Sequence, residues 1–207
     1  MGVRDAMAKK QSYHHGDLRQ ALVSAALALL QKKDVQSLSL REVAREAGVS
    51  HAAPYRHFED KAALLAAIAA EGFTKFGEYL QNAVDQTPNQ PVESLLATGV
   101  AYVRYALDHP IHFRIMFSHY PPNQPIDSSL YEVSTSTFQI LVDIIAAGQS
   151  AQIIRMDQDA EFLALGKWSL VHGIAMLLLD GMLTTQRDAQ LALAESLVRD
   201  SLVSLTI

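Results

Sequence analysis

The sequence predicts an all-α fold, with a small N-terminal helical unit joined to a larger helical body. Three observations carry this. Apolar residues recur at helical spacing along most of the chain, while the period-two alternation of half-buried strands is hard to find. "TPNQP", residues 87–91, is turn chemistry that parts two long periodic segments. Charge is also divided unevenly: residues 1–67 hold ten of the 17 Lys and Arg but only seven of the 22 Asp and Glu. The first third is therefore near +3 and the remainder near −8 within a net charge of −5, a balance that fits an anion-facing module on an acidic body and equally a chance clustering of a modest excess.

The first helix opens near Asp17, whose carboxylate suits a helix N-terminus, and carries Leu18, Leu22, Ala25 and Leu29 on one stripe. Lys32 and Lys33 suit its end. Ser39-Leu40-Arg41-Glu42 has the form of a capping box, in which the serine oxygen accepts a backbone N–H and the glutamate reaches back. Leu40, Val43, Ala44 and Ala47 face the core, and Gly48 ends that second helix because glycine takes the left-handed conformation cheaply. A short third helix is expected behind Ser50. A fourth follows Asp60, with Leu64, Ile68, Phe73, Phe76 and Leu80 along it. Beyond the turn come a helix over about 92–107, a short aromatic helix in "HPIHFRIMF", the loop "YPPNQP" from Tyr120, a helix over about 127–147, and two closing helices near 159–179 and 188–205. This makes about nine helices, divided into domains 1–60 and 61–207.

Composition removes several function classes. The 207 residues are 49% hydrophobic and contain no cysteine, which excludes disulfides, thiolate nucleophiles and cysteine-ligated zinc. No apolar run follows Arg4, Lys9 and Lys10 before Leu18, so no secretory signal is expected. Uncharged stretches such as 168–179 fall short of the roughly 20 residues a membrane span requires, and a cytoplasmic protein without membrane contact is expected. His14, His15, His109, His112 and His119 have no metal-ligand spacing such as HExxH, and neither a GxSxG elbow nor a glycine-rich phosphate loop is present. No catalytic residue, metal or cofactor is assigned.

"GVSHAAPYRHF", residues 48–58, has the dimensions of a helix-turn-helix. Val49 can plug the angle between two helices and Ser50 can cap the second by accepting the N–H of Ala52 or Ala53. Small Ala52 and Ala53 let a backbone approach base edges, with His51 beside them able to hydrogen-bond. Tyr55, Arg56, His57 and Lys61 then offer groups suited to phosphates, and Arg41 can join them. Pro54 disfavours the helical conformation at Ala53 and has no N–H to donate in the first turn, so an irregular start, or a cap shifted to His51, is expected.

"SLREVAREAGVSHAAPYRHFEDKAALLAAI", residues 39–68, resembles the signature of the TetR/AcrR family of transcriptional regulators, most specifically in "YRHFEDK". "YHHGDLRQALVSAAL" upstream and "WSLVHGIAML", residues 168–177, resemble a branch of that family whose C-terminal domain carries a Trp-His-Gly motif. The resemblance implies a three-helix DNA-binding domain, a helical effector domain and a homodimer built mainly from the last two helices. By position it implies that His51, Ala52 and Ala53 face bases while Tyr55, His57 and Lys61 hold phosphates. An apolar residue such as leucine is commoner in the family where this chain has Pro54. Double-stranded DNA with a palindromic operator, a second copy of the chain and a small-molecule effector are the implied partners, with repression the habitual outcome.

In the body, Gly166, Ser169 and Gly173 share a face that permits close helix approach. With Leu177, and with Leu191, Ala194, Val198 and Leu202 striping the last helix, they form a candidate four-helix dimer interface, although an intramolecular core would have the same composition. Tyr102, Tyr105, Phe113, Met116, Phe117, Tyr131, Phe138, Trp168 and Met176, with His172 for orientation, suit a pocket for a small apolar or aromatic effector; plain core packing explains the same stripes. The competing reading is a helical small-molecule-binding protein or enzyme with a degenerate helix-turn-helix.

Overall fold

The structure, a computed structural model, describes residues 15–117 and 128–206, the side chains of 15–17 and 128 excepted. The N-terminal arm, the capping role of Asp17, the "YPPNQP" loop, and the side chains of His14, His15 and His119 lie outside these residues. Two compact units divide between Leu64 and Leu65.

The first unit holds α1 (His15–Leu30), a 3₁₀ turn at Val35–Ser37, α2 (Leu40–Glu46), a second 3₁₀ turn at Pro54–Arg56, and the first turn of α3 (Lys61–Asp85). Its core is Leu22, Val23 and Ala26 from α1, Leu40, Val43 and Ala44 from α2, and Leu38, Pro54, Phe58 and Leu64. The box at the start of α2 closes differently from the expected form. The Ser39 hydroxyl accepts the Glu42 N–H at 3.4 Å, but Glu42 Oε2 takes the Ser39 hydroxyl proton at 2.8 Å rather than a backbone N–H, and Lys33 Nζ stands 2.7 Å from the same oxygen. Lys33 and then Ser39 hold the Glu42 carboxyl below the usual carboxylate range. At the other end Gly48 has φ +69°, Val49 N–H donates to Ala44 O at 2.9 Å and Gly48 N–H to Arg45 O at 3.2 Å. This is the Schellman arrangement, in which the left-handed residue turns two spare carbonyls onto N–H groups.

The expected third α-helix is absent, and turns run from Ser50 to His57. An α-helix capped at Ser50 would make its first bond from residue 54 back to Ser50 O, and proline has no N–H to give. Ala53 N–H takes that carbonyl instead, at 2.9 Å, while Arg56 N–H donates to Ala53 O and His57 N–H to Pro54 O. No side-chain cap from Ser50 replaces the missing bond. Eight α-helices, not about nine, are therefore present among the described residues.

The second unit comprises the rest of α3 with α4 (Pro91–Asp108), α5 (Pro110–Met116), α6 (Ser128–Ser150), α7 (Ala160–Leu179) and α8 (Arg187–Leu202). α4 is central, packing on α5, α6, α7 and α8. Asp159 caps α7, accepting the Phe162 N–H at 2.7 Å. A Cβ at Gly99 would lie 2.7 Å from Val198 Cγ1, so only glycine lets α8 sit this close to α4. Ile154 is fully buried in a cluster with Leu95, Ile145, Leu163 and Leu205. Contrary to the expectation that no segment is long enough, α7 has the length and composition to cross a membrane, because it stays strongly apolar on average across the charged Lys167 that bounds the uncharged stretch. Here it packs against α4, α6 and α8.

Candidate nucleic-acid interface and effector cavity

Along 50–61 the turn geometry sorts side chains by face. Pro54 and Phe58 point inward, Pro54 filling a core position, and the Arg19 guanidinium lies 5.3 Å from the centre of the Phe58 ring. Arg41, Ser50, His51, Ala52, Tyr55 and Arg56 are exposed, Tyr55 at 55%, while Ala53, His57 and Lys61 are half-buried. A small residue pair, an imidazole, a phenol and a guanidinium are thus presented together on this unit. Lys61 is partly committed already, since its ammonium donates to Val35 O at 3.2 Å and Gln36 O at 3.1 Å, pinning the first 3₁₀ turn.

The second unit encloses a cavity of about 400 Å³. Tyr102, Phe117, Phe138 and Trp168 line it as anticipated. Tyr105, Phe113, Met116, Tyr131, His172 and Met176 do not. Tyr105 points the other way round α4 and donates its hydroxyl to Gly72 O at 2.8 Å, with Met116 Sδ 3.6 Å from the same oxygen. Phe113 is core, stacked on His172, and Tyr131 is 60% exposed. Helical spacing identifies a shared stripe but not which part of it meets empty space. Phe73, Phe76 and Leu80 of α3, Thr98 and Gly99 of α4, Leu141 of α6 and Lys167 of α7 complete the wall and were not anticipated as lining. The i, i+3, i+7 spacing of the α3 trio was visible in the sequence and reads equally well as plain core.

His172 sits one layer behind the wall. Trp168 Nε1–H donates to the Tyr102 hydroxyl at 3.0 Å, and that hydroxyl shares a second hydrogen bond with His172 Nδ1 at 2.9 Å. Burial raises the Tyr102 pKa above its ordinary value and lowers that of His172, which favours the neutral form of each.

The anticipated interface residues divide. Ala194, Val198 and Leu202 are buried within this chain, Val198 and Leu202 lining the cavity, so they face its own core and present no surface to a partner. Gly166, Ser169, Gly173 and Leu177 are exposed, and Leu191 is half-buried. Phe162, Leu165, Leu170 and Leu197, not anticipated, extend the exposed apolar surface, with Phe162 at 58%.

Comparison with known proteins agrees with this architecture. The profile of bacterial regulatory proteins of the tetR family matches residues 22–68, and that of the tetracyclin repressor-like C-terminal domain matches residues 95–201. A solved structure of a Rhodococcus sp. RHA1 protein of unknown function superposes with a TM-score of 0.78 at 36% identity, covering 93% of this chain and 98% of that one. A tetR-family regulatory protein from Rhodococcus RHA1 shares the fold with a TM-score of 0.72 at 23% identity, covering 91% and 97%. The HTH-type transcriptional regulator AcrR of Shigella flexneri is 34% identical over 89 residues, which is 43% of this chain and 41% of AcrR, so the match spans less than half of that relative. YvkB of Bacillus subtilis, an HTH-type transcriptional regulator, is 26% identical over 68% of this chain and 72% of its own. With a helix-turn-helix unit ahead of a helical body and both profiles matched in order, the chain belongs to the TetR family of DNA-binding transcriptional regulators.

Proposed function

We propose that this regulator acts as a homodimeric repressor on a palindromic operator and leaves the DNA when a small, largely apolar molecule fills the cavity of its second unit. The observation that carries this is the cavity: about 400 Å³ walled by Phe73, Phe76, Tyr102, Phe117, Phe138 and Trp168, within the roughly 300–1,000 Å³ typical of small-molecule pockets. His51, Ala52 and Ala53 face bases; Arg41, Ser50, Tyr55, Arg56 and His57 hold phosphates, and Lys61 adds a phosphate contact to its hold on Val35 and Gln36. The exposed face of α7, with Leu197 of α8, is where a second copy docks, since a broad apolar strip is costly to leave in water. Two recognition segments then enter half-sites about 34–36 Å apart or at multiples of that spacing. Effector and operator oppose one another to the same degree, as linkage requires.

Selection of bound sequences from a random duplex pool tests the DNA reading. A recovered palindrome, bound less tightly as salt rises, is expected. Retention of no sequence at low salt would leave only the small-molecule-binding alternative.

A further inference from the structure

The cavity wall is apolar with one charged exception. Lys167 is the single ionisable residue among the lining groups apart from Tyr102, and no Asp or Glu lines the cavity. Its ammonium donates to Ser201 O and to Ser204 Oγ, the latter at 3.3 Å, which are both neutral acceptors on the C-terminal end of α8. None of the ion pairs among the described residues includes it. Arg155 adds positive potential nearby: its Nε is buried without a hydrogen bond, Asp157 Oδ1 standing 3.4 Å off. Burial first, and Arg155 second, push the Lys167 pKa down.

Most other buried lining donors are already engaged within the protein. Thr98, Ser134, Thr137 and Ser201 hydroxyls donate to carbonyls of their own helices, the Trp168 N–H donates to the Tyr102 hydroxyl, which shares a hydrogen bond with His172 Nδ1, and the remaining lining hydroxyl, on Thr135, is solvent-exposed. An ammonium has three N–H groups, and Lys167 directs only two of them to protein. An ionised carboxylate is a pure acceptor, so Lys167 is where it would be held. A cation would find no carboxylate in the wall, and burying an unpaired charge is unfavourable.

We propose that the molecule held in this cavity is an amphipathic monocarboxylic acid, its head on Lys167 and its apolar, ring-bearing body among Phe76, Tyr102, Phe117, Phe138 and Trp168. This rests on the reading of the cavity as the effector site.

Trp168 is the chain's one tryptophan and lines the cavity, so its emission reports occupancy directly. Phenylhexanoate, phenylhexanol and phenylhexylammonium are titrated against the full chain and against Lys167→Met and Lys167→Arg. The acid is expected to bind about tenfold more tightly than the alcohol, the gain of one charge-assisted hydrogen bond, with the ammonium weakest. Lys167→Met is expected to bring the acid to the level of the alcohol or below while the alcohol is unchanged, and Lys167→Arg to keep the acid preference. An ammonium as tight as the acid, or an acid preference that survives in Lys167→Met, overturns the ligand class and leaves the effector site standing. Loss of alcohol binding in Lys167→Met makes Lys167 a strut for α8 and also overturns it. No emission change with any probe defeats the cavity reading and the ligand class together.

Discussion

The two units place their interior aromatic residues in opposite ways. In the first, Phe58 and Pro54 are closed in by α1 and α2, and Phe58 is 2% exposed. In the second, six aromatic residues stand round a cavity of about 400 Å³. Atoms that line a cavity have fewer protein neighbours, and so fewer dispersion contacts, than atoms in a packed core. A short segment with few buried residues has little stability to set against that loss, and recognises its partner with exposed side chains instead. The larger unit, with long helices converging on α4, can keep such a cavity.

The contrast is broken most forcefully in the first unit. Phe58→Ala is expected to lower its stability by about 3–5 kcal/mol, read as denaturant midpoint with the loss of duplex binding; a change under about 1 kcal/mol would mean the ring is not packed as described. Added volume separates the units next. Ala44→Leu, at a fully buried site, should cost about 1–3 kcal/mol by overpacking. Leu141→Phe, pointing into the cavity, should instead be neutral or stabilising by about 0.5–2 kcal/mol while weakening probe binding. Equal penalties from thermal unfolding would erase the distinction.

Gly48→Ala comes next. Nothing lies within 4 Å of an added Cβ, so the effect is backbone strain at φ +69° alone, about 1–2 kcal/mol; a neutral result in calorimetry would refute the left-handed cap. The smallest effect is electrostatic. Because the folded Glu42 carboxyl is held below its unfolded value, its contribution is full above the ordinary carboxylate pKa and fades as pH falls through the folded one. The unfolding midpoint should therefore decline in acid more steeply in the parent than in Glu42→Gln; parallel curves would remove Lys33 and Ser39 as the cause.

Features made within one turn of helix were readable in advance. Ser39 and Gly48 act where their residue types place them, because a cap depends on three or four neighbouring N–H and C=O groups. Pro54 was readable as trouble, and its missing N–H does remove the α-type bond to Ser50 O. What it becomes in compensation, a core residue of a turn-built segment, depends on α1 and α2 packing over it. Lys61 likewise shows its charge in sequence but not that Val35 and Gln36 carbonyls, far from it along the chain, engage it first.

The sequence by itself determined the all-α class, the helix-turn-helix and the split of charge between the units, since periodicity, caps and composition act over a few residues. Only the tertiary structure decided that Val198 and Leu202 turn inward, that Tyr105 and Phe113 are core while Phe73 and Phe76 wall a cavity, and that one lysine stands in that wall. Those outcomes depend on the rotation of each helix about its own axis relative to its neighbours, and on volume left unfilled where several meet. No single stripe of residues encodes either.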